Sequence, residues 1–336
     1  MIHWRTLILA LFLTLSLLSV WEVTCRNNGF LPTMDDDKYL WAAQRDRVRD
    51  HDSSQVVIIG ASRAHFDFQL DDWEDVTGIR PLQLAADGKS PGPVLQDIVN
   101  NTAFNGTIVM NITPSLFFIP PADSIGGWKR AADWVDSYHK RTLAQRLNHW
   151  LSYGPQSVFA FLTSGEEGDP DLKSMISTLP PKGRVKQGVP FPRFSQVSAD
   201  RNTWMMPRME TDTAFQRTIQ NAWYTFGKNQ KRVDKVIEQS FPFYLDLIRR
   251  LEARGGRMIF TFNPSSGWYT EFEATNYPRE LYYDAFVQQC GCPAYHFQDY
   301  PSLARFVPPE WSHLSNPDAR EYTRRILAIM QQDGVL

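Results

Sequence analysis

Residues 56–63 read VVIIGASR, and this stretch decides the fold class. The four aliphatic residues from Val56 to Ile59 have the length of a strand and show no polar alternation, which is typical of a parallel strand buried on both faces. Gly60 ends the run, and Ser62 follows within two residues, where we expect a helix to begin. Such a serine lies at the carboxyl end of a strand, where open α/β sheets bind ligands.

Further apolar runs of strand length follow along the chain. They occupy residues 82–86, 107–112, 257–263 and 294–298. Helical patterns lie between these runs, and an alternation of strands with helices predicts a parallel sheet covered on both sides. We therefore expect an α/β fold, a three-layer sandwich around a five-stranded, mostly parallel sheet.

Three helices are predicted with recognisable ends. Residues 34–49 carry acids at the start and arginines at the end, which suits the helix dipole. A second helix has apolar residues at i, i+3, i+4 and i+7 from Tyr244 and is stopped by glycines at 255 and 256. The last helix is predicted to start with Asn316 as its cap and Pro317 at its first position.

Residues 125–240 interrupt this alternation and are predicted to be a large insertion. The stretch 164–207 is rich in glycine and proline and keeps no helical or strand period. Loops of this length are usually functional or disordered. The apolar residues Phe194, Trp204, Met205 and Met206 can pack against a protein surface, which favours an insertion that lies over the domain.

The composition excludes several classes of protein. The chain has 336 residues, a formal net charge of -2, and three cysteines. So small a net charge argues against a disordered chain and against nucleic acid as the main partner. Three cysteines cannot build a disulfide scaffold, and no cluster has metal-ligand spacing. The glycine after the first strand belongs to no nucleotide-binding motif, so we expect neither a metal nor another cofactor.

The N-terminus contains the most apolar segment of the chain. Residues 4–21 would form a helix of about 27 Å, close to the ~30 Å hydrocarbon core of a bilayer, with tryptophans at both ends. Arg5 precedes the segment and acids follow it, so the basic end should stay cytoplasmic. We expect a single-pass anchor in the cytoplasmic membrane that contacts lipid through residues 4–23. The remainder would then lie on the periplasmic or extracellular side.

A cleaved signal peptide is the competing interpretation of this segment. Its apolar stretch would be shorter and would end in a small-x-small cleavage site. Trp21 and Glu22 stand where cleavage would occur. Both interpretations export the protein, and they differ only in whether the helix is retained.

Two distant segments carry residues suited to nucleophilic catalysis. His313 lies on the loop before the last helix, where it can reach the same crevice as Ser62, and Glu310 is close enough to bind one imidazole nitrogen. A base oriented by a third group is the arrangement that activates a serine. Each segment also has a structural alternative: Ser62 can cap the following helix, and Glu310 with His313 can be a loop contact.

Together these segments resemble the SGNH (GDSL-type) hydrolase superfamily. Its first block, a serine directly after the first strand, is matched by GASR at 60–63 in place of the better-known GDS. Its last block, D-x-x-H before the final helix, is matched by EWSH at 310–313. The closest resemblance is to exported, membrane-anchored members, in which a turn ending in G-x-S-P matches GKSP at 88–91. The match covers about residues 55–115 and 255–330.

The resemblance implies a flavodoxin-like sheet and a role for each motif residue. Ser62 would be the nucleophile, His313 the general base, and Glu310 would replace the aspartate of the family with a side chain one methylene longer. The oxyanion hole would use the backbone N–H groups of Ser62 and Gly88 and the side chain of Asn111. The sequence around Asn111 reads VMNIT and lacks the usual G-x-N-D context.

Neighbouring polar residues have alternative roles that the sequence leaves open. Arg63 would either steer an anionic substrate or be a solvated residue at the start of a helix. His65 is expected on the first turn of that helix in a surface or packing role. Asp87 would influence the pocket or shape a turn.

The expected function is that of an exported, membrane-anchored serine esterase or O-acyltransferase. The resemblance implies acyl esters of cell-envelope glycans or other small esters as substrates, and a multi-spanning membrane acyltransferase as a further partner. The chain would divide into an anchor, residues 1–25, and one SGNH-like domain, residues 26–336, which contains the insertion. The alternative is a non-catalytic envelope assembly or carbohydrate-binding protein that keeps the fold.

Overall fold

The computed structural model describes residues 4–121, 126–164, 189–228, 230 and 235–336. Within these ranges the strands are β1 (Val56–Ile59), β2 (Leu82–Gln83), β3 (Thr107–Asn111), β4 (Ser195–Val197), β5 (Thr203–Met205), β6 (Arg257–Phe262) and β7 (Ala294–His296). The helices in the first half are α1 (Trp4–Asn27), α2 (Lys38–Arg45), α3 (Ser62–Asp67), α4 (Leu70–Thr77), α5 (Gly92–Asn101), α6 (Pro114–Phe117), α7 (Gly126–Lys140) and α8 (Leu143–Val158). Those in the second half are α9 (Pro207–Thr211), α10 (Thr213–Gly227), α11 (Val236–Glu252), α12 (Gly267–Asn276), α13 (Ala285–Cys290), α14 (Pro301–Ala304) and α15 (Asn316–Gln332).

The predicted sandwich around a five-stranded sheet is confirmed in the described part of the chain. The strand order is β2-β1-β3-β6-β7, and every neighbouring pair is parallel. β1 and β3 are buried along their whole length, and for β1 this is what its continuous aliphatic run predicts. Helices α4 and α15 pack together, while α5 packs against α7 and α11. The order in which the strands are added to the sheet reverses between β1 and β3, which makes their carboxyl ends the topological switch point.

Strand β2 is shorter than the predicted run at 82–86, but its pairing with β1 continues beyond it. The amide of Leu84 donates to the carbonyl of Ile58 at 2.8 Å, and the amide of Ala86 donates to the carbonyl of Gly60 at 3.0 Å. The segment after β2 therefore runs beside the end of β1 and delivers Asp87 and Gly88 to the switch point.

Two helix starts differ from the sequence prediction because a neighbouring side chain is the better cap. Helix α2 starts at Lys38 instead of residue 34, since the carboxylate of Asp37 accepts the amides of Tyr39 and Leu40. The cap of α15 is Ser315, whose hydroxyl accepts the amide of Asp318, so Asn316 is wrong as the cap.

The predicted insertion contains regular structure that its sequence did not reveal. An antiparallel ribbon, β4 with β5, lies in the stretch where no period was found. Its strands have three residues each, too short for an alternating pattern to stand out. At its turn Arg201 is buried and pairs with Asp36 at 2.6 Å, and its guanidinium donates to the carbonyl of Gln83 at 2.9 Å.

Helix α1 stands apart from the packed core. It is long and apolar enough to cross a membrane, with a mean hydropathy of 2.0 in its most apolar window, and none of its residues is buried. Its last turns contact the short 3₁₀ segment Ala160–Leu162, which follows α8. The predicted apolar helix at the N-terminus is thus present and extends to Asn27.

Candidate active site

A tight turn at the end of β1 positions Ser62. Gly60 has φ +155°, and a Cβ atom at this position would lie 2.7 Å from Cβ of Ala64 and 3.1 Å from Cβ of Asn111. Because only glycine fits so close to both α3 and β3, the chain can turn directly from the strand into the helix. Ser62 is the first residue of α3, and Ala61, not Ser62, occupies the cap position.

The loop before α15 holds His313 and Glu310 as a buried pair. Glu310 is 0% exposed and His313 is 1% exposed. Nδ1 of His313 lies 2.9 Å from Oε1 of Glu310. The same oxygen accepts the backbone amides of Ser312, at 3.2 Å, and of His313. An imidazole held by Nδ1 against a carboxylate has its Nε2 free to act as a base.

Ser62 and His313 line the same cavity, which has a volume of about 430 Å³. The cavity lies at the switch point and is also lined by Asp87 and Gly88. Nε2 of His313 is buried and has no hydrogen-bond partner among the described residues. No hydrogen bond joins this nitrogen to the hydroxyl of Ser62, although both residues line the cavity.

Charge around His313 favours its protonated form. Burial alone would lower the pKa of His313, but the charge and hydrogen bond of Glu310, with further contributions from Asp67 and Asp87, raise it above its ordinary value. Burial raises the pKa of Asp67 to about 7, although Asp67 accepts the amide of Leu314 at 3.0 Å.

Of the three residues expected to form an oxyanion hole, Ser62 and Gly88 line the cavity and Asn111 does not. Gly88 lines the cavity, with φ +64°. Neither its amide nor that of Ser62 donates to another backbone group in the described part of the chain. Asn111 is buried at the end of β3, and its side-chain amide donates to the carbonyl of Thr261 at 3.3 Å. Thr113, which donates to Oδ1 of Asn111 at 3.2 Å, lines the cavity instead.

The insertion contributes Trp223, which the sequence analysis did not identify as part of the site. Trp223 lies on α10, lines the cavity, and donates its indole N–H to Oε2 of Glu310. Both carboxylate oxygens of Glu310 therefore accept N–H donors. No pattern in the sequence connects Trp223 with Glu310, because the contact joins two segments without shared periodicity.

Aromatic side chains form one wall of the cavity. The ring of Phe66 stacks on His313 with centroids 4.3 Å apart, and Phe194, from the insertion, lies 5.9 Å from the same imidazole. Phe191 and Phe226 extend this wall. The arrangement excludes water from the imidazole and offers an apolar surface for part of a ligand.

One cationic side chain reaches the cavity from α7. Arg130 lines it and donates to the carbonyl of Gly88. Partial burial lowers the pKa of Arg130, and no carboxylate contributes to this shift. The remaining N–H groups of its guanidinium are available to an anionic group of a ligand.

Arg63 has neither of the roles expected from the sequence. It is 0% exposed and pairs with Glu273 at 2.8 Å, with its guanidinium 5.0 Å from the ring centroid of Tyr269. Its side chain is buried because it packs against Glu273 and Tyr269 of α12. Arg63 therefore belongs to a structural ion pair with Glu273 and is not available to steer a substrate.

His65, Asp36 and Asp87 form the group of side chains that comes closest to a metal site in the described ranges. Nδ1 of His65 lies 2.9 Å from Asp87, and its other nitrogen lies 2.7 Å from the hydroxyl of Thr203. Both oxygens of Asp36 accept the guanidinium of Arg201, at 2.6 and 2.8 Å. The side chains of these three residues are therefore already engaged in contacts within the protein. His65 is buried, in the packing role that its position suggested.

Comparison with known proteins leaves the site to be interpreted from its own chemistry. No family model matches the chain. No curated protein matches it. Among solved structures, the chain is similar to a proposed acylhydrolase from Bacteroides fragilis, with 10% identity, a TM-score of 0.36, and coverage of 89% of this chain and 99% of that chain. So loose a match carries no inference about function.

Proposed function

We propose that this protein is an exported, membrane-anchored serine esterase or O-acyltransferase of the SGNH type. One observation carries the proposal: Ser62, Gly88 and His313 come from three separate segments and line one cavity, with Glu310 hydrogen-bonded to His313. A serine, a buried imidazole and a buried carboxylate in this order are the components of a catalytic triad.

The proposed reaction begins with attack of the Ser62 hydroxyl oxygen on an ester carbonyl. His313 takes the hydroxyl proton at Nε2, and the carbonyl oxygen becomes an oxyanion. When the oxyanion collapses, the ester C–O bond breaks and the leaving alcohol takes the proton from His313. Water or a sugar hydroxyl then attacks the acyl-enzyme, His313 again transfers the proton, and Ser62 is released. The negative charge of Glu310 stabilises the imidazolium in both steps.

The oxyanion would be stabilised by the amides of Ser62 and Gly88, which are not engaged with other backbone groups. Asn111 is the third donor in this proposal. Its amide would have to leave the carbonyl and the hydroxyl of Thr261 to reach the oxyanion, since these are its present acceptors.

The cavity supports a substrate with an apolar acyl group and an anionic or strongly polar remainder. Phe194 and Trp223 would contact the acyl group, and Arg130 would contact the polar part. Acyl esters of cell-envelope glycans are the substrate class we propose, because α1 would hold the domain at the membrane surface outside the cytoplasm. A multi-spanning membrane acyltransferase would be the donor partner of a transferase.

Covalent labelling tests the proposal directly. A fluorophosphonate should label the purified protein in detergent, whereas Ser62→Ala and His313→Ala should lose most or all of the label. Ser54→Ala is the matched control, since Ser54 is exposed and its hydroxyl donates to Asp52. Equal labelling of all four proteins would refute the triad.

Two features of the site favour a second function. The hydroxyl of Ser62 and Nε2 of His313 are not hydrogen-bonded to each other, and Glu310 replaces the expected aspartate. A non-catalytic envelope assembly or carbohydrate-binding protein would keep this geometry. It would bind acylated glycan without being labelled and without releasing the acyl group, so the same labelling experiment separates the two functions.

A further inference from the structure

Helix α8 exposes its apolar face and turns its polar face toward the domain. Counted from Leu143, the apolar residues occupy positions i, i+4, i+7, i+8 and i+15, which form one side of a helix. They are Leu143, Leu147, Trp150, Leu151 and Val158, which are 70%, 50%, 66%, 64% and 54% exposed. A helix on the surface of a soluble domain has the opposite arrangement, with its apolar side buried.

The inner side of α8 is held by polar contacts. Gln156 accepts the backbone amide of Asp35 at 2.9 Å, and the Tyr153 ring packs beside Met34 and Leu40. His149 is hydrogen-bonded to the Tyr153 hydroxyl at 3.1 Å. The contacts of Gln156 with Asp35 and of Tyr153 with Met34 and Leu40 fix the rotation of the helix, so its apolar side faces outward.

The carboxyl end of α8 is joined to the exit of the apolar helix α1. The guanidinium of Arg26 donates to the carbonyl of Val158 at 2.8 Å. The carboxylate of Glu22 accepts the backbone amides of Ala160 and Phe161, both at 3.0 Å. Helix α8 therefore ends at the level where α1 would leave the hydrocarbon core.

We propose that the outward side of α8 lies in the lipid interface of the membrane that α1 spans. The inference rests on the membrane anchoring proposed above. Lipid is favoured over a protein partner by the continuity with α1 and by the residues at the rim. Trp150 suits the headgroup region, and Arg146 is exposed beside the apolar side, where it can reach lipid phosphates. The domain would thus be attached at two points and held at a set orientation above the bilayer.

Spin labelling of the full chain in lipid vesicles tests this inference. The native cysteines at 25, 290 and 292 are first replaced by serine. A nitroxide is then placed at Leu151→Cys or Leu147→Cys, at Leu13→Cys in α1, and at Asn148→Cys as the matched control. Asn148 is exposed on α8 but lies about 110° around the helix from the middle of its apolar side.

The measured quantity is the ratio of label accessibility to oxygen over accessibility to a water-soluble nickel reagent. We expect this ratio to be several-fold higher for labels at 13, 147 and 151 than for the label at 148. A lipid-exposed label at 13 with water-exposed labels at 147 and 151 would overturn the inference and leave the anchor intact. A water-exposed label at 13 would overturn the anchor itself. Labels at 147 and 151 shielded from both reagents would mean that protein covers this side, which also overturns a lipid contact.

Discussion

Glu310, the carboxylate of the proposed triad, accepts hydrogen bonds through both of its oxygens. Its Oε1 accepts the imidazole of His313 at 2.9 Å and the amide of Ser312 at 3.2 Å, and its Oε2 accepts the indole of Trp223. The longer side chain reaches a second donor on a different segment. The extra methylene is therefore compatible with the proposed role of a triad carboxylate.

Replacing Glu310 by glutamine should damage catalysis and change its dependence on pH. Both oxygens face N–H donors, so either orientation of the new amide places one N–H against another. We expect kcat/KM to fall about 10²- to 10⁴-fold. Since Glu310 helps raise the pKa of His313, its loss should also lower that pKa.

The pH profile of kcat/KM for a 4-nitrophenyl ester measures this effect. The base must be neutral, so activity falls as the pH decreases through the pKa of His313, and this acidic limb should move to lower pH in Glu310→Gln. Glu310→Asp is the control, because it keeps the charge and should keep the limb closer to that of the parent protein. An unchanged limb in Glu310→Gln would contradict the assignment of Glu310.

At the scale of elements, the insertion completes the cavity. Helix α10 places Trp223 against Glu310, and the segment before β4 places Phe194 near His313. A small cluster of buried apolar residues joins Phe66 of α3 to the insertion. If the insertion were replaced by a short loop, only Phe66 of the named aromatic side chains in this wall would remain.

The substitution Trp223→Phe isolates the contribution of α10. An aromatic ring remains at this position, but the indole N–H is lost. One oxygen of the buried Glu310 then has no donor from residue 223, which costs about 1–3 kcal/mol of unfolding free energy. We also expect kcat to fall roughly 10-fold, because proton transfer depends on how the carboxylate orients His313. Thermal unfolding and the pH profile measure the two effects.

Trp204→Phe provides the matched control for the substitution Trp223→Phe. Trp204 also lies in the insertion, and its indole donates to Gln196 at 3.3 Å, away from Glu310. Its loss should lower stability without moving the pH profile. If both variants had the same effect on kcat and on the profile, Trp223 would have only a structural role.

At the scale of the whole molecule, α1 differs in its surroundings from the rest of the described chain. None of the residues of α1 is buried, whereas the sheet and its helices share one continuous apolar core. Removal of α1 should therefore leave the rest of the chain folded. The surface of α8 remains exposed in such a shortened protein.

Deletion of residues 2–25 tests how the protein is held at the membrane. The full chain should resist extraction from membranes by alkaline carbonate, because a spanning helix remains in the hydrocarbon core. The shortened chain should bind vesicles at neutral pH through α8 but be released by carbonate, as expected for a helix that lies only in the interface. Carbonate release of the full chain would contradict the anchor.

Much of the fold was predictable from local sequence. The continuous aliphatic run at residues 56–59 and the mostly apolar run at 107–112 are typical of parallel strands buried on both faces. The apolar helix at the N-terminus was predictable for a similar reason. The ribbon of β4 with β5 was not, because strands of three residues carry too little pattern, and its position depends on the ion pair between Arg201 and Asp36.

The sequence by itself determined the α/β class, the apolar N-terminal helix and the placing of Ser62 and His313 at ends of elements that can meet. Only the tertiary structure decided that Trp223 contacts Glu310, that Arg63 is buried against Glu273, and that the apolar side of α8 faces outward. The physical reason is the distance along the chain between the residues that interact. Strands and helices follow from the period of neighbouring residues, whereas these contacts depend on how distant segments pack, which no local period encodes.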